Sequence, residues 1–468
     1  MSDLSKQPLR STLEHIGELE SDVSSTIRNL ARIPYPRIRF NLEIAGKNYK
    51  AGLDAVRRVL TEYLLTRAQQ FATLPQPGTG KTQTVDEILR KYWGRQLNMS
   101  YHIAEGFRTN FALEAGANIP FELYFLVFDI FKEFNFEETL VFRPADQFKS
   151  ETFEETILEP LDSILQVGKQ TILPGTLEQP PVPRDLRTEI QLKPANAIWY
   201  VSGEAHNPIL WPLIIHESFH LLDNRLGLFQ EMESLMGSTK KLPVLDPAKI
   251  EQVNKKWSKE IFQDIAAVHY FGPMYAFSLM NYFERLPYIR SVEHPEMSSR
   301  LYAVNKYLQT AHSQHTDYLT RALSFCKPLI TRELARYEQS GELSDEVKTE
   351  LDMFYDAVAS WLRSRRITLF TDRLARYVAQ GSRAREMVDK QIIDRVPYVD
   401  PIFTFDEVVD LVFTKKVSLA LDPTLLLNVV LAVSDKYTPQ GYSERLVDCM
   451  YKCRVKQAWD LALSSIKA

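Results

Sequence analysis

Residues 211–226, WPLIIHESFHLLDNRL, contain an HExxH pattern formed by His216, Glu217 and His220. Residues four apart lie on one face of a helix, so both imidazoles can reach one ion. Glu217 projects beside them, where it can take a proton from a water that the metal activates. The pattern therefore predicts a helix that carries a metal site. Two hydrogen-bonded core histidines would give the same pattern, and this alternative stays open.

The residues around the pattern predict a buried helix of defined length. Pro212 suits the first turn of a helix, and Gly227 suits the position just past its end. Apolar residues surround the pattern on almost every side, which favours burial. They are Leu213, Ile214, Phe219, Leu221 and Leu222.

Zinc needs a third protein ligand, and residues 255–273, KKWSKEIFQDIAAVHYFGP, offer one. Glu260 and Asp264 lie four apart at the edge of an apolar stripe, where two like charges repel each other. A cation and a ligating histidine between them would remove the conflict. We expect Glu260 to bind zinc and Asp264 to accept a proton from the far nitrogen of a ligating histidine. A solvated helix edge remains the alternative; His206 and Asp223 are the next candidate ligands.

The order of these motifs resembles a known family. HExxH followed by ExxxD on a later helix resembles the gluzincin metallopeptidases. Two further features resemble the M48 group, the family of the CaaX-processing protease and its bacterial heat-shock relatives. One is the strand NAIWYVSG at 196–203, and the other is the segment HPEMSSR at 294–300, which matches HPxxxxR.

The resemblance implies one zinc ion per chain and roles for the two added features. The strand would edge the active-site cleft and bind substrate through Asn196, Ala197 and Ile198. His294 and Arg300 would lie near the scissile carbonyl and stabilise its developing oxyanion, a task for which both are suitable donors. A plain turn, in which His-Pro ends one helix and Arg300 begins the next, is the alternative.

Composition narrows the class of protein. The chain has 468 residues, of which 45% are hydrophobic and 25% charged, with a net charge of −4. These values are ordinary for a soluble globular protein and give no basic excess for nucleic acid. Three cysteines cannot form a disulfide framework, which favours the reducing cytoplasm. No apolar run approaches the ~18 residues of a membrane helix, so we expect no membrane span. The first residues, MSDLSKQPLR, have no apolar signal core, so we also expect no signal sequence.

The pattern along the chain predicts a mainly α fold with a small α+β zincin-like core. We expect a helical region at 1–135, the zinc metallopeptidase-like core at 136–302, and a second helical region at 303–468. EETLVFRPADQF and ANAIWYVSG are the predicted strands of a short sheet beside the HExxH helix. The helical flanks would cover or narrow the cleft and make the enzyme latent or selective.

These inferences lead to two hypotheses about function. The first is a zinc-dependent endopeptidase that hydrolyses a protein or peptide substrate with Glu217 as general base and leaves room for a regulatory protein partner. The second is a helical interaction or scaffold protein with a zinc-stabilised but inactive peptidase-like core. Substitution of Glu217 separates the two, because only the enzyme would lose hydrolysis while its fold stays unchanged.

Overall fold

The computed structural model describes most of the first 365 residues. The described residues are 8–33, 36–73, 83–116, 121–169, 190–201, 210–236, 242–243, 245, 251–285, 294–311 and 317–365. They form two compact units. The first contains the described residues of 1–118 and 138–201, and the second those of 119–137 and 202–468. The strands lie in the first unit and the HExxH helix in the second, so the expected domain boundaries and the placement of the sheet beside this helix stay predictions.

Most described residues are helical, and three strands form one sheet. The helices are α1 (Pro8–Asn29), α2 (Pro36–Arg58), α3 (Thr66–Ala72), α4 (Val85–Gly116), α5 (Phe121–Glu133), α6 (Phe153–Lys169), α7 (Trp211–Leu226), α8 (Leu228–Met236), α9 (Glu251–Phe271), α10 (Pro273–Arg285), α11 (Met297–Ala311), α12 (Asp317–Ser340) and α13 (Asp345–Arg365). The strands are β1 (Thr139–Ala145), β2 (Lys149–Thr152) and β3 (Ala195–Val201). The prediction of a mainly α fold with a short sheet is confirmed.

In the first unit, helices α1, α2 and α4 pack against one another, and a π-helical segment at Val59–Leu65 joins α2 to α3. Gly46 of α2 lies at a close approach of the three helices. A Cβ atom added there would lie 2.6 Å from Cζ of Phe111 and 2.7 Å from Cγ1 of Ile27. Such distances are shorter than van der Waals contact, so only glycine fits this packing without a shift.

The sheet has the order β1-β3-β2, with β3 in the centre. Strand β1 runs parallel to β3, with Thr139 opposite Ala195, and β2 runs antiparallel to it, with Thr152 opposite Asn196. The first five residues of β1 are all buried, as are the first four of β3. Both predicted strands are therefore present, and their near-continuous burial is typical of strands covered on both faces.

A buried ion pair ties the sheet to the helices of the first unit. Arg143 of β1 donates from Nε to Oε1 of Glu114 on α4 at 2.8 Å. The same oxygen accepts the hydroxyl of Tyr49 on α2 at 2.7 Å. All three side chains are buried. Because an unpaired charge in a dry interior is costly, this arrangement fixes α2 and α4 against β1.

Helix α9 lies at the centre of the second unit. It packs against α7, α10, α11 and α13, and every residue from Glu260 to Phe271 is buried. A helix buried all round in this way must satisfy or neutralise each polar side chain that it carries. The charged residues of α9 are therefore the ones that need an explanation.

The described residues between 303 and 365 are mainly helical, in α11, α12 and α13, and the predicted C-terminal region as a unit stays a prediction. Residues 366–468 lie outside the described part of the chain. The expectation that the flanks cover a cleft stays a prediction.

The close approach at Gly46 gives a stability prediction. Gly46→Ala should destabilise the protein by about 1–3 kcal/mol, because overpacking outweighs the better helix propensity of alanine. Gly106→Ala is the matched control, since an added Cβ there meets nothing within 4 Å. The control should be neutral or slightly stabilising. Thermal unfolding midpoints of both variants decide the matter, and equal midpoints would contradict the packing argument.

Candidate metal site

Helix α7 presents His216, Glu217 and His220 as the sequence predicts. It begins at Trp211 with Pro212 in its first turn. It ends at Leu226, and the next residue, Gly227, has a left-handed φ of 66° and donates its N–H to the carbonyl of Asp223 at 2.8 Å. The predicted apolar residues around the motif are all buried. The two imidazoles are therefore held on a rigid element.

One ligand atom from each of His216, Glu217 and His220 lies within 4.8 Å of the others, so this group could hold a metal ion. The Nε2 atoms of the two histidines are 3.0 Å apart. The side chain of His216 is buried, whereas that of His220 is 20% exposed. One histidine of the pair is thus partly accessible to solvent.

Glu260 of α9 completes a triangle of ligand atoms. Its Oε2 lies 3.3 Å from Nε2 of His216, and its Oε1 lies 3.2 Å from Nε2 of His220. Ligands bound tetrahedrally at ~2.0–2.1 Å from zinc are about 3.3–3.4 Å apart, which the observed separations approach. The structure brings the three predicted ligands together.

The carboxylate of Glu260 needs a cation. Its Oε2 is buried and receives no well-formed hydrogen bond from the described residues. Burial alone would raise the pKa of Glu260, but the combined effect of His220, His216 and His294 outweighs it and holds the pKa well below its usual range. Glu260 is therefore an anion at neutral pH. The donor set of two imidazoles and one carboxylate fits a divalent metal ion.

Asp264 lies behind His216, where the sequence predicts it. Its Oδ1 is 3.0 Å from Nδ1 of His216. Arg300 donates to both of its oxygens at 2.7 Å, from Nε to Oδ2 and from Nη2 to Oδ1. Burial would raise the pKa of Asp264, but the Arg300 guanidinium lowers it to about 2. Asp264 is thus an ionised acceptor for the far nitrogen of a candidate ligand.

The carboxylates of Asp264 and Glu260 both raise the pKa of His216. Burial alone would lower it, but attraction to Asp264 and hydrogen bonding to Asp264 and Glu260 together raise the pKa to about 9. Without a metal, the imidazole is therefore doubly protonated and positively charged at neutral pH. The surroundings of His216 favour a positive charge, which is the property that a cation site requires.

His294 and Arg300 occupy different positions. Nδ1 of His294 lies 3.1 Å from Oε2 of Glu260, and its side chain is 46% exposed, so it stands at the accessible edge of the site. Arg300 is buried and engages Asp264 through two nitrogens. The guanidinium thus binds Asp264, on the Nδ1 side of His216. Its expected contact with a scissile carbonyl stays a prediction.

The expected cleft-edge strand is corrected by the sheet order. Strand β3 is central, and Asn196, Ala197 and Ile198 each face a residue of β1 on one side and of β2 on the other. All three residues are buried. Strand addition requires free backbone groups along an edge, so these residues cannot bind an extended substrate in that way.

Two alternative ligands were named from the sequence. Asp223 is already engaged, since its Oδ1 accepts the N–H of Phe229 at 2.6 Å and its Oδ2 accepts Nζ of Lys259 at 3.1 Å. His206 lies outside the described residues. Of the candidates that the structure describes, Glu260 is the one placed to be the third ligand.

Tyr275 is a residue of the site that no motif in the sequence indicates. This residue of α10 is buried, and its hydroxyl donates to Oδ1 of Asp264 and lies 3.2 Å from Nδ1 of His216. No spacing rule links a residue of one helix to a motif on another. The Gly272-Pro273 turn between α9 and α10 is the one local signal that α10 folds back beside Asp264.

The chain matches no protein-family model, no curated protein and no solved structure. Among the described helices, none is long and apolar enough to cross a membrane. The chemical interpretation of the site therefore depends on its geometry.

The triangle of ligand atoms predicts one tightly bound metal ion per chain. Glu260→Ala should lose most of it, because a ligand is removed. Asp223→Asn is the matched control, since Asp223 is a buried acid of the same unit that contacts Phe229 and Lys259 instead. Elemental analysis after metal-replete expression measures the stoichiometry. Full occupancy in Glu260→Ala would show that Glu260 is not the third ligand.

Proposed function

We propose that the chain is a zinc-dependent endopeptidase. In this proposal His216, His220 and Glu260 are the zinc ligands and Glu217 is the general base. The observation that carries it is the triangle of two Nε2 atoms and one carboxylate, with sides of 3.0–3.3 Å. Glu217 lies close to it, on the helix that carries the two histidines. The resemblance of HExxH, ExxxD and HPxxxxR to gluzincin peptidases supports the same reaction.

The ligand set favours zinc over magnesium and calcium, and it favours a catalytic over a structural role. Two imidazoles and a carboxylate suit zinc, whereas magnesium and calcium prefer oxygen ligands alone. Structural zinc sites usually have four protein ligands, whereas catalytic sites have three and keep one position open. The 20% exposure of His220 and the 46% exposure of His294 support an open position on that side.

The protein residues divide the work of hydrolysis. When bound, zinc would supply Lewis acidity to a water and to the carbonyl oxygen of the substrate. Glu217 would take a proton from the attacking water and deliver it to the departing amine. It follows His216 directly, so its side chain leaves the helix about 100° round from that ligand and does not need to bind the metal to lie beside it.

His294 is placed for a contact with substrate. Its imidazole is half exposed, and its Nδ1 lies within 3.1 Å of Glu260. Since Nδ1 faces Glu260, Nε2 would be the nitrogen that donates a hydrogen bond to a carbonyl oxygen that gains negative charge. Such donors are among the largest contributions to catalysis. Arg300 would support the reaction from behind by holding Asp264.

The test compares metal-loaded wild type with Glu217→Gln. An amide cannot accept the proton, so hydrolysis should fall ~10²–10⁴-fold while metal content and fold are retained. Glu233→Gln, which loses an exposed ion pair with Lys255, is the matched control and should keep full activity. A peptide library analysed by mass spectrometry and a comparison of cleaved protein termini in a cell extract provide the readouts.

Two results would contradict the enzyme. One is equal hydrolysis by wild type and Glu217→Gln, which would point to a contaminating peptidase. The other is wild-type protein that binds stoichiometric zinc and cleaves nothing in either assay. That second result would favour the helical interaction protein with a zinc-stabilised, inactive core.

A further inference from the structure

Tyr275 contacts both members of the His216–Asp264 pair. Its hydroxyl donates to Oδ1 of Asp264, and its oxygen lies 3.2 Å from Nδ1 of His216. Its ring is nearly parallel to the imidazole of His216, at an interplanar angle of 9° and a centroid distance of 6.4 Å. The tyrosine is fully buried, so water does not compete for these contacts.

Asp264 is held by donors on both oxygens. Arg300 supplies two hydrogen bonds, one to each oxygen, while Oδ1 also accepts from Tyr275 and faces Nδ1 of His216 at 3.0 Å. An ionised carboxylate only accepts hydrogen bonds, so all of these groups must donate to it. The carboxylate therefore has a fixed orientation, and its Oδ1 lies where His216 requires an acceptor.

These contacts determine which nitrogen of His216 carries the proton when the imidazole is neutral. Nδ1 faces two acceptor oxygens, one on Asp264 and one on Tyr275, so the N–H is at Nδ1. A neutral imidazole has one N–H, and the lone pair is then at Nε2. That nitrogen points to Nε2 of His220 and to the carboxylate of Glu260.

We propose that Tyr275 is a positioning residue of the metal site, which acts through the orientation and tautomer of His216. The inference rests on the proposed zinc site. Arg300 donates to both oxygens of Asp264. Tyr275 contacts the carboxylate and the imidazole together. Its hydroxyl thus restricts rotation of the His216 ring as well as movement of Asp264. Partners behind a ligand contribute to metal affinity because the ligand is already oriented when the metal arrives.

The experiment removes one oxygen atom and uses a matched control. Tyr275→Phe keeps the ring and deletes the hydroxyl. Tyr307→Phe is the control, because the Tyr307 hydroxyl makes the same kind of contact, 3.0 Å from Nδ1 of His269, in the same unit but with a histidine outside the site. Zinc affinity is measured by competition with a chromophoric chelator, and the geometry of the site by the visible absorption spectrum of the Co²⁺-substituted protein.

We expect Tyr275→Phe to bind zinc about 10–100-fold more weakly than wild type and to show a changed Co²⁺ spectrum. Tyr307→Phe should match wild type in both measurements. Equal zinc affinity in Tyr275→Phe and wild type would overturn the proposal, as would an equal loss in the two variants. A Tyr275→Phe chain that fails to fold while Tyr307→Phe folds would also overturn it, since the hydroxyl would then serve the fold.

The measurements separate this inference from the proposed function. Zinc affinity and the Co²⁺ spectrum do not require hydrolysis, so a wild type that binds zinc but cleaves no peptide still shows whether Tyr275 positions His216. A wild type that binds no zinc would refute both.

Discussion

The packing of the second unit depends on how two buried carboxylates of α9, those of Glu260 and Asp264, are compensated. They lie one turn apart on α9, and both are buried. Two anions in a dry interior are unfavourable unless cations or donors compensate them. Arg300 compensates Asp264 with two hydrogen bonds, and imidazoles surround Glu260. The helices around α9 therefore supply matching charge, and a metal ion beside Glu260 would complete the balance.

The parts of the site that follow local rules could be predicted from the sequence. A separation of four residues places His216 and His220 on one face, and it places Glu260 and Asp264 on one face in the same way. The ends of α7 follow from Pro212 and from the left-handed Gly227. Two like charges on an apolar stripe need a cation and a histidine between them, and Asp264 does have Nδ1 of His216 as its neighbour.

The parts that depend on packing between distant segments could not be predicted. Tyr275 on α10 contacts His216 on α7, and the direction of the Arg300 side chain depends on how α11 packs on α9. The expected edge position of β3 was wrong because local sequence does not specify strand order. A signal did exist, since ANAIWYV is apolar at nearly every position rather than at alternate ones. Such a run indicates a strand covered on both faces and flanked by neighbours.

The polar groups behind the candidate ligands also bear on the choice between an enzyme and a scaffold. A zinc ion that served stability alone would need ligands, but not a half-exposed histidine at its open side. In this chain Asp264 and Tyr275 contact Nδ1 of His216, and Arg300 binds Asp264, whereas the side chain of His294 is half exposed. Hydrolysis requires an oriented metal ligand and an accessible side of the metal, because the attacking water and the substrate must both reach a fixed point. The proposed site thus combines a buried half with an accessible half, and Glu217 lies close to the two histidine ligands.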